Sequence, residues 1–88
     1  MIFCGIVGYL KMKTAREMFE KLWYTKHVSD NRIVYENGNY IMRDIIDFNL
    51  KDRIVHSYTE YEAGNAIKGL TVNEFKAIQK QMKELGWI

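Results

Sequence analysis

The chain contains no proline, one cysteine and two histidines, and each scarcity removes a class of explanation. Without proline there is no proline-rich linker, and no repeat or low-complexity tract divides the 88 residues, so one domain is expected. With Cys4 as the only cysteine, an internal disulfide is impossible and a reducing, cytoplasmic compartment is expected.

The same scarcities thin out the chemistry. A hydrolytic or transfer enzyme needs a nucleophile, a base and a group that orients the base. His27 and His56 are the only histidines, and Cys4 sits in an apolar run that disfavours a reactive thiolate. No His-x-x-x-His, Cys-x-x-Cys or calcium-loop spacing occurs, and Gly5 and Gly8 lack the Lys-Ser or Lys-Thr of a phosphate-binding loop. No enzymatic activity, metal or cofactor is therefore expected.

Long apolar runs are also missing. The opening Met1–Leu10 is too short for the ~20 residues that cross a bilayer as a helix, and its lysines, Lys11 and Lys13, follow the run instead of preceding it as in a signal peptide. Residues 1–12 are expected to add a strand through Ile2, Phe3, Ile6, Val7 and Tyr9, or to be a leader before a start at Met12. No membrane association is expected.

What the sequence does have is order. Thr14-Ala-Arg-Glu17 and Thr71-Val-Asn-Glu74 are two copies of a capping box, each directly before helix-period apolar residues. In the first helix Ala15, Met18, Phe19, Leu22 and Trp23 fall on one stripe, and in the second Val72, Phe75, Ile78, Met82 and Leu85 do. Leu70 and Phe75 read as a hydrophobic staple, Gly86 as a helix stop, and Trp87-Ile88 as a return onto the core. The first helix should fade over Tyr24–His27 into a loop at Ser29-Asp30-Asn31.

Between the helices the pattern alternates in twos. Asn37-Gly38 suits a two-residue hairpin, pairing Tyr35 with Tyr40 and Ile33 with Met42; an alternative register puts the turn at Arg43-Asp44 and leaves Asn37-Gly38 inside a strand. A three-residue loop around Leu50-Lys51-Asp52 pairs Phe48 with Ile54 and Ile46 with His56. The first register places Ile33, Tyr35, Tyr40, Met42, Ile46, Phe48, Ile54, His56 and Tyr58 on one sheet face, with a bulge needed near Asp44. Glu62–Gly69, with two glycines, reads as a mobile connection. The expected fold is α+β, with residues 13–88 forming a single α-β-β-β-α domain in which two helices pack a three-stranded antiparallel meander.

Charge is weak overall and uneven along the chain. The net charge is +2, which names no partner class; residues 1–28 carry +3, residues 29–62 carry −3 and residues 63–88 carry +2. The second sheet face shows an aliphatic stripe of Val34, Ile41, Ile45 and Val55 among charges, an arrangement suited to a protein contact unless the chain itself covers it. Asp47, Asp52, Glu60 and Glu62 lie near it. Lys76, Lys80 and Lys83 stand at i, i+4 and i+7 on the last helix, with Arg16 and Lys13 able to extend the patch, but Glu74 and Glu84 dilute it.

Three segments carry a resemblance: Thr14-Ala-Arg-Glu-Met-Phe-Glu-Lys21, Ile46-Asp-Phe-Asn-Leu-Lys-Asp-Arg-Ile54 and Glu74-Phe-Lys-Ala-Ile-Gln-Lys-Gln-Met-Lys-Glu-Leu-Gly-Trp-Ile88. Across most of residues 13–88 the chain resembles small phage and prophage proteins of Gram-positive bacteria. The resemblance implies an accessory protein in the host cytoplasm that acts by stoichiometric binding to a host protein, such as a defence nuclease or another nucleic-acid enzyme, in the manner of anti-CRISPR proteins. The surface expected to serve is Val34, Ile41, Ile45, Val55, Asp47, Asp52, Glu60 and Glu62, together with the Glu60–Gly69 loop. On this reading direct nucleic-acid binding is not expected. The alternatives are a nucleic-acid-binding protein using Lys76, Lys80 and Lys83, and a homodimeric structural protein.

Overall fold

A computed structural model describes residues 13–88. The expectations for the apolar segment 1–12 lie outside the described residues. The elements run α1 (Ala15–Lys21), β1 (Thr25–Val28), β2 (Arg32–Gly38), β3 (Met42–Asn49), β4 (Ile54–Tyr61), β5 (Gly64–Ile67) and α2 (Val72–Glu84). The fold is α+β, with both helices against one face of an antiparallel sheet in strand order β1-β2-β3-β4-β5.

Both capping boxes form as the sequence indicates. The Glu17 N–H donates to Thr14 Oγ1 at 3.1 Å while Thr14 N–H donates to Glu17 Oε1 at 2.9 Å, and Thr71 and Glu74 repeat the exchange at 3.1 and 2.8 Å.

The sheet has five strands where three were expected. β1 lies in the segment where the first helix was to fade, and β5 in the stretch read as a mobile connection. Both are four-residue edge strands with no clear alternation, which is why the sequence did not announce them.

Register is the larger correction. Asn37-Gly38 does not form the hairpin turn; both residues stay in β2, paired with Asp44 and Arg43. The turn is Asn39-Tyr40-Ile41, folded by Asn39 Oδ1, which accepts from the Ile41 and Met42 N–H groups at 2.8 and 3.1 Å. The alternative register is right that Asn37-Gly38 lies inside a strand, but its turn at Arg43-Asp44 is not adopted, since both residues are in β3. Gly38 is required for another reason: at φ +133° a Cβ there would lie 2.3 Å from the Met42 carbonyl oxygen.

The β3–β4 loop is Leu50–Arg53, one residue longer than expected, with Arg53 at φ 56°. That extra residue turns β4 over, because a one-residue slip exchanges the two faces of a strand. Phe48 pairs with Val55 and Ile46 with Ser57, so Val55 and Ser57 face the helices while Ile54, His56 and Tyr58 face away. No bulge relieves Asp44: the ladder continues through it, and the Thr59 hydroxyl opposite donates to Asp44 Oδ1 at 2.8 Å.

The core is Phe19, Tyr24, Ile33, Tyr35, Ile46, Phe48, Ala77 and Ile78. Phe19 stacks on Tyr35 with ring centroids 3.8 Å apart, and Trp87 returns to Phe48 at 6.3 Å. Besides those of β4, five residues expected in the core lie outside it: Tyr40 and Trp23 are exposed, and Met42, Val72 and Phe75 are about half so or more.

The buried stripe of α2 is instead Glu74, Ala77, Ile78 and Gln81, with Met82 and Leu85 partly covered. Two buried tyrosines explain this rotation. The Tyr24 hydroxyl donates to Glu74 Oε2 at 2.6 Å and the Tyr35 hydroxyl to Gln81 Oε1 at 2.5 Å. Buried hydroxyls need acceptors, so α2 presents polar residues where a purely apolar count would have placed Val72 and Phe75.

Candidate functional site

The helices run antiparallel. Glu84 Oε2, at the end of α2, accepts from Ala15 N–H at the start of α1 at 2.7 Å, while Tyr24, just past α1, bonds Glu74 near the start of α2. Between them lie two adjoining open depressions of about 230 and 400 Å³. Their rims carry Lys13, Lys21, Lys76, Lys80 and Lys83, their floor includes Met18 and Leu22, and Asn73 and Gln79 add neutral polar groups.

The groove gathers positive charge. Among the described residues no ion pair engages any of its five lysines. Both carboxylates of α2 are engaged elsewhere: Glu84 at the α1 N-terminus and Glu74 inside the fold. Lys13 is held below the ordinary lysine value, first by the close approach of the Lys21 amine and then by its charge, with Glu17 opposing. Arg16, expected to extend the patch, pairs with Glu20 at 3.3 Å instead.

Glu74 anchors the other side of α2. Lys68 Nζ donates to both of its carboxylate oxygens at 2.9 Å. Burial pushes the Glu74 carboxyl up, but the Lys68 hydrogen bond, the Thr71 N–H, the Tyr24 hydroxyl and the Lys68 charge together hold it below the ordinary carboxylate value. Burial raises the Tyr24 hydroxyl, reinforced by Glu74, and likewise Tyr35.

The sheet face away from the helices gathers part of the expected contact set. Val34, Ile45, Asp47 and Glu60 share it. Val55 does not, because the β4 register turns it toward the helices. Ile41 is 58% exposed in the β2–β3 turn, Asp52 lies in the β3–β4 turn, and Glu62 lies between β4 and β5. The Glu60–Gly69 segment is no free loop, since Gly64–Ile67 pairs with β4.

On this face Ile45 and Asp47 are nonetheless buried, at 4% and 7% exposure, and hydrogen bonds and ion pairs cross it. His27 Nε2 lies 3.1 Å from Glu36 Oε1, Glu36 accepts from Arg43 at 3.2 Å, Arg43 continues to Glu60, and Arg32 pairs with Asp47. The Arg43 guanidinium is held above its ordinary value, first by its hydrogen bond to Glu60. Burial raises the Tyr58 hydroxyl, with Asp47 and Glu60 adding to it. Asp47 is 7% exposed, and its Oδ1 has no hydrogen-bond partner among the described residues.

The three lysines of α2 were legible from their spacing. Lys21 was missed, because its place on the groove depends on how α1 packs against α2. Among the described residues no cluster of three His, Cys, Asp or Glu side chains is arranged to hold a metal ion, and no helix is long and apolar enough to cross a membrane. No protein-family model matches the chain, and comparisons with curated proteins and with solved structures find no match.

Proposed function

We propose that the protein binds nucleic acid by its phosphates along the lysine groove between α1 and α2. One observation carries this reading: five lysines line one groove and, among the described residues, no ion pair engages them. From sequence alone Glu74 and Glu84 weigh against such a patch; with both engaged elsewhere, that objection falls. Asn73 to Lys83 spans about 15 Å of helix, a length over which one DNA strand carries about four phosphates. The chemistry is recognition without reaction, with lysines acting as mobile point charges and no base-specific contact required.

Ionic strength tests the reading. Five phosphate contacts give a log–log salt slope of about −3.5 on a single strand, so affinity falls roughly a hundredfold between about 50 and 200 mM salt. Fluorescence anisotropy of labelled oligonucleotides measures this directly. Lys76→Gln and Lys80→Gln should each weaken binding and flatten the slope by about 0.7. Weak, unsaturable binding at low salt, indifferent to these substitutions, removes the reading.

A protein partner on the sheet face away from the helices is the second reading, favoured by Asp47 Oδ1, which is buried beside Val34 with no hydrogen-bond partner among the described residues. A partner that presents an N–H donor there would satisfy it. A protein captured by the wild-type chain and lost with Val34→Asp supports this reading; an identical captured set removes it.

A further inference from the structure

The two helices end in the same motif, and one of the two copies carries the wrong residue for stability alone. In α2 the Trp87 N–H donates to the Met82 carbonyl at 2.8 Å and the Gly86 N–H to the Lys83 carbonyl at 3.0 Å, with Gly86 at φ 75°. In α1 the Tyr24 N–H donates to the Phe19 carbonyl and the Trp23 N–H to the Glu20 carbonyl, both at 3.0 Å, with Trp23 at φ 70°. This is the Schellman geometry, whose left-handed position favours glycine. The molecule uses glycine in one copy and tryptophan in the other.

Packing does not account for the tryptophan, since Trp23 is 82% exposed. Its place is informative. It follows Lys21 and Leu22, which line the groove end shared with Asn73 and Lys76. The hydrogen bond from Tyr24 to Glu74 ties its chain neighbour to the neighbour of Phe75, itself 50% exposed. Trp23 is therefore an exposed aromatic residue that directly follows the groove-lining Lys21 and Leu22, at the end of a lysine track. A left-handed, non-glycine residue kept against a conformational cost signals function when nothing structural requires it.

Resting on the proposed nucleic-acid reading, we infer that the groove takes a single strand and that Trp23 is the platform on which a base stacks as the strand leaves the lysines at the Lys21 end. Stacking requires unpaired bases, whereas lysine–phosphate contacts alone accept a duplex as well. A duplex therefore gains from the lysines and gains nothing from Trp23.

The test uses the full chain with a labelled oligothymidylate and a duplex of equal length, comparing the wild type, Trp23→Gly, Trp23→Phe and the Lys76→Gln/Lys80→Gln pair. The inference expects the single strand to bind tighter than the duplex. Trp23→Gly should lose about tenfold on the single strand only, with the salt slope kept and thermal stability not reduced, and Trp23→Phe should recover most of the loss. If Trp23→Gly binds the single strand as wild type while the lysine pair weakens both ligands, the stacking inference falls and the groove reading stands. If the lysine pair changes nothing, the groove reading falls and takes this inference with it.

Discussion

The Tyr24 hydroxyl donates to Glu74 Oε2 at 2.6 Å across 50 residues of chain, and Lys68 closes the same carboxylate from the other side. The contact joins the end of α1 to the first turn of α2. A hydrogen bond to a charged, buried acceptor contributes about 1.5–3 kcal/mol, so Tyr24→Phe should lower stability by about that amount in urea unfolding.

Because the folded Glu74 titrates below its unfolded value, the unfolded chain binds more protons in the interval between the two. The stability this group contributes is therefore complete above the unfolded carboxylate value of about 4.3 and is lost as pH falls through the folded one. Tyr24 and Tyr35 act in the opposite sense: raised by burial, they favour folding below about pH 10, and stability declines above it. Urea midpoints from pH 3 to 7 should show an acid decline in the wild type that Glu74→Gln reduces.

The β4 register makes a paired prediction. Val55 faces the helices and Ile54, 44% exposed, the opposite side, so Val55→Asp buries an unpaired carboxylate and should cost several times more than Ile54→Asp, roughly 3 against 1 kcal/mol. The expected register, with Ile54 inside, gives the reverse order. Thermal melts of the two variants decide between them.

Legibility from sequence followed the range of the interactions. The capping boxes are settled within four residues, so Thr14 and Thr71 announced both helices. The sheet faces depended on whether the Leu50–Arg53 loop held three residues or four, a choice made by Arg53 adopting φ 56° and by Asn49 Oδ1 accepting from the Lys51 and Asp52 N–H groups. Hydropathy does not encode that choice. The rotation of α2 depended on tyrosines more than 40 residues away finding acceptors in Glu74 and Gln81. The groove was half legible for the same reason: Lys76, Lys80 and Lys83 are local to one helix, whereas the diversion of Glu84 to the Ala15 N–H is a contact across the whole domain.

Gly38 and Gly64 separate collision from backbone strain. Both have strongly positive φ, at 133° and 141°, but a Cβ on Gly38 meets the Met42 carbonyl oxygen and Arg43 Cα, whereas one on Gly64 meets nothing within 4 Å. Gly64→Ala should cost only the conformational term, about 1–2 kcal/mol. Gly38→Ala adds a clash with backbone that cannot yield without breaking the β2–β3 ladder, and should exceed it by about 2 kcal/mol or more. Equal losses in paired thermal melts would mean that the hairpin has another geometry.

Trp23 and Gly86 make the last prediction, independent of any ligand. Both occupy the left-handed position after a helix, where an L-residue with a side chain pays about 1–2 kcal/mol relative to a right-handed conformation. Trp23→Gly removes that strain and, with the indole 82% exposed, forfeits little apolar burial. It should stabilise the fold by about 1 kcal/mol, a rise in Tm of about 4–8 °C for a domain of this size. Gly86→Ala introduces the strain where it is now absent and should lower Tm by a similar amount. Opposite shifts of comparable size establish that the two helix ends are energetic equivalents; a fall in Tm for Trp23→Gly would show instead that the indole is held by contacts that stabilise the fold.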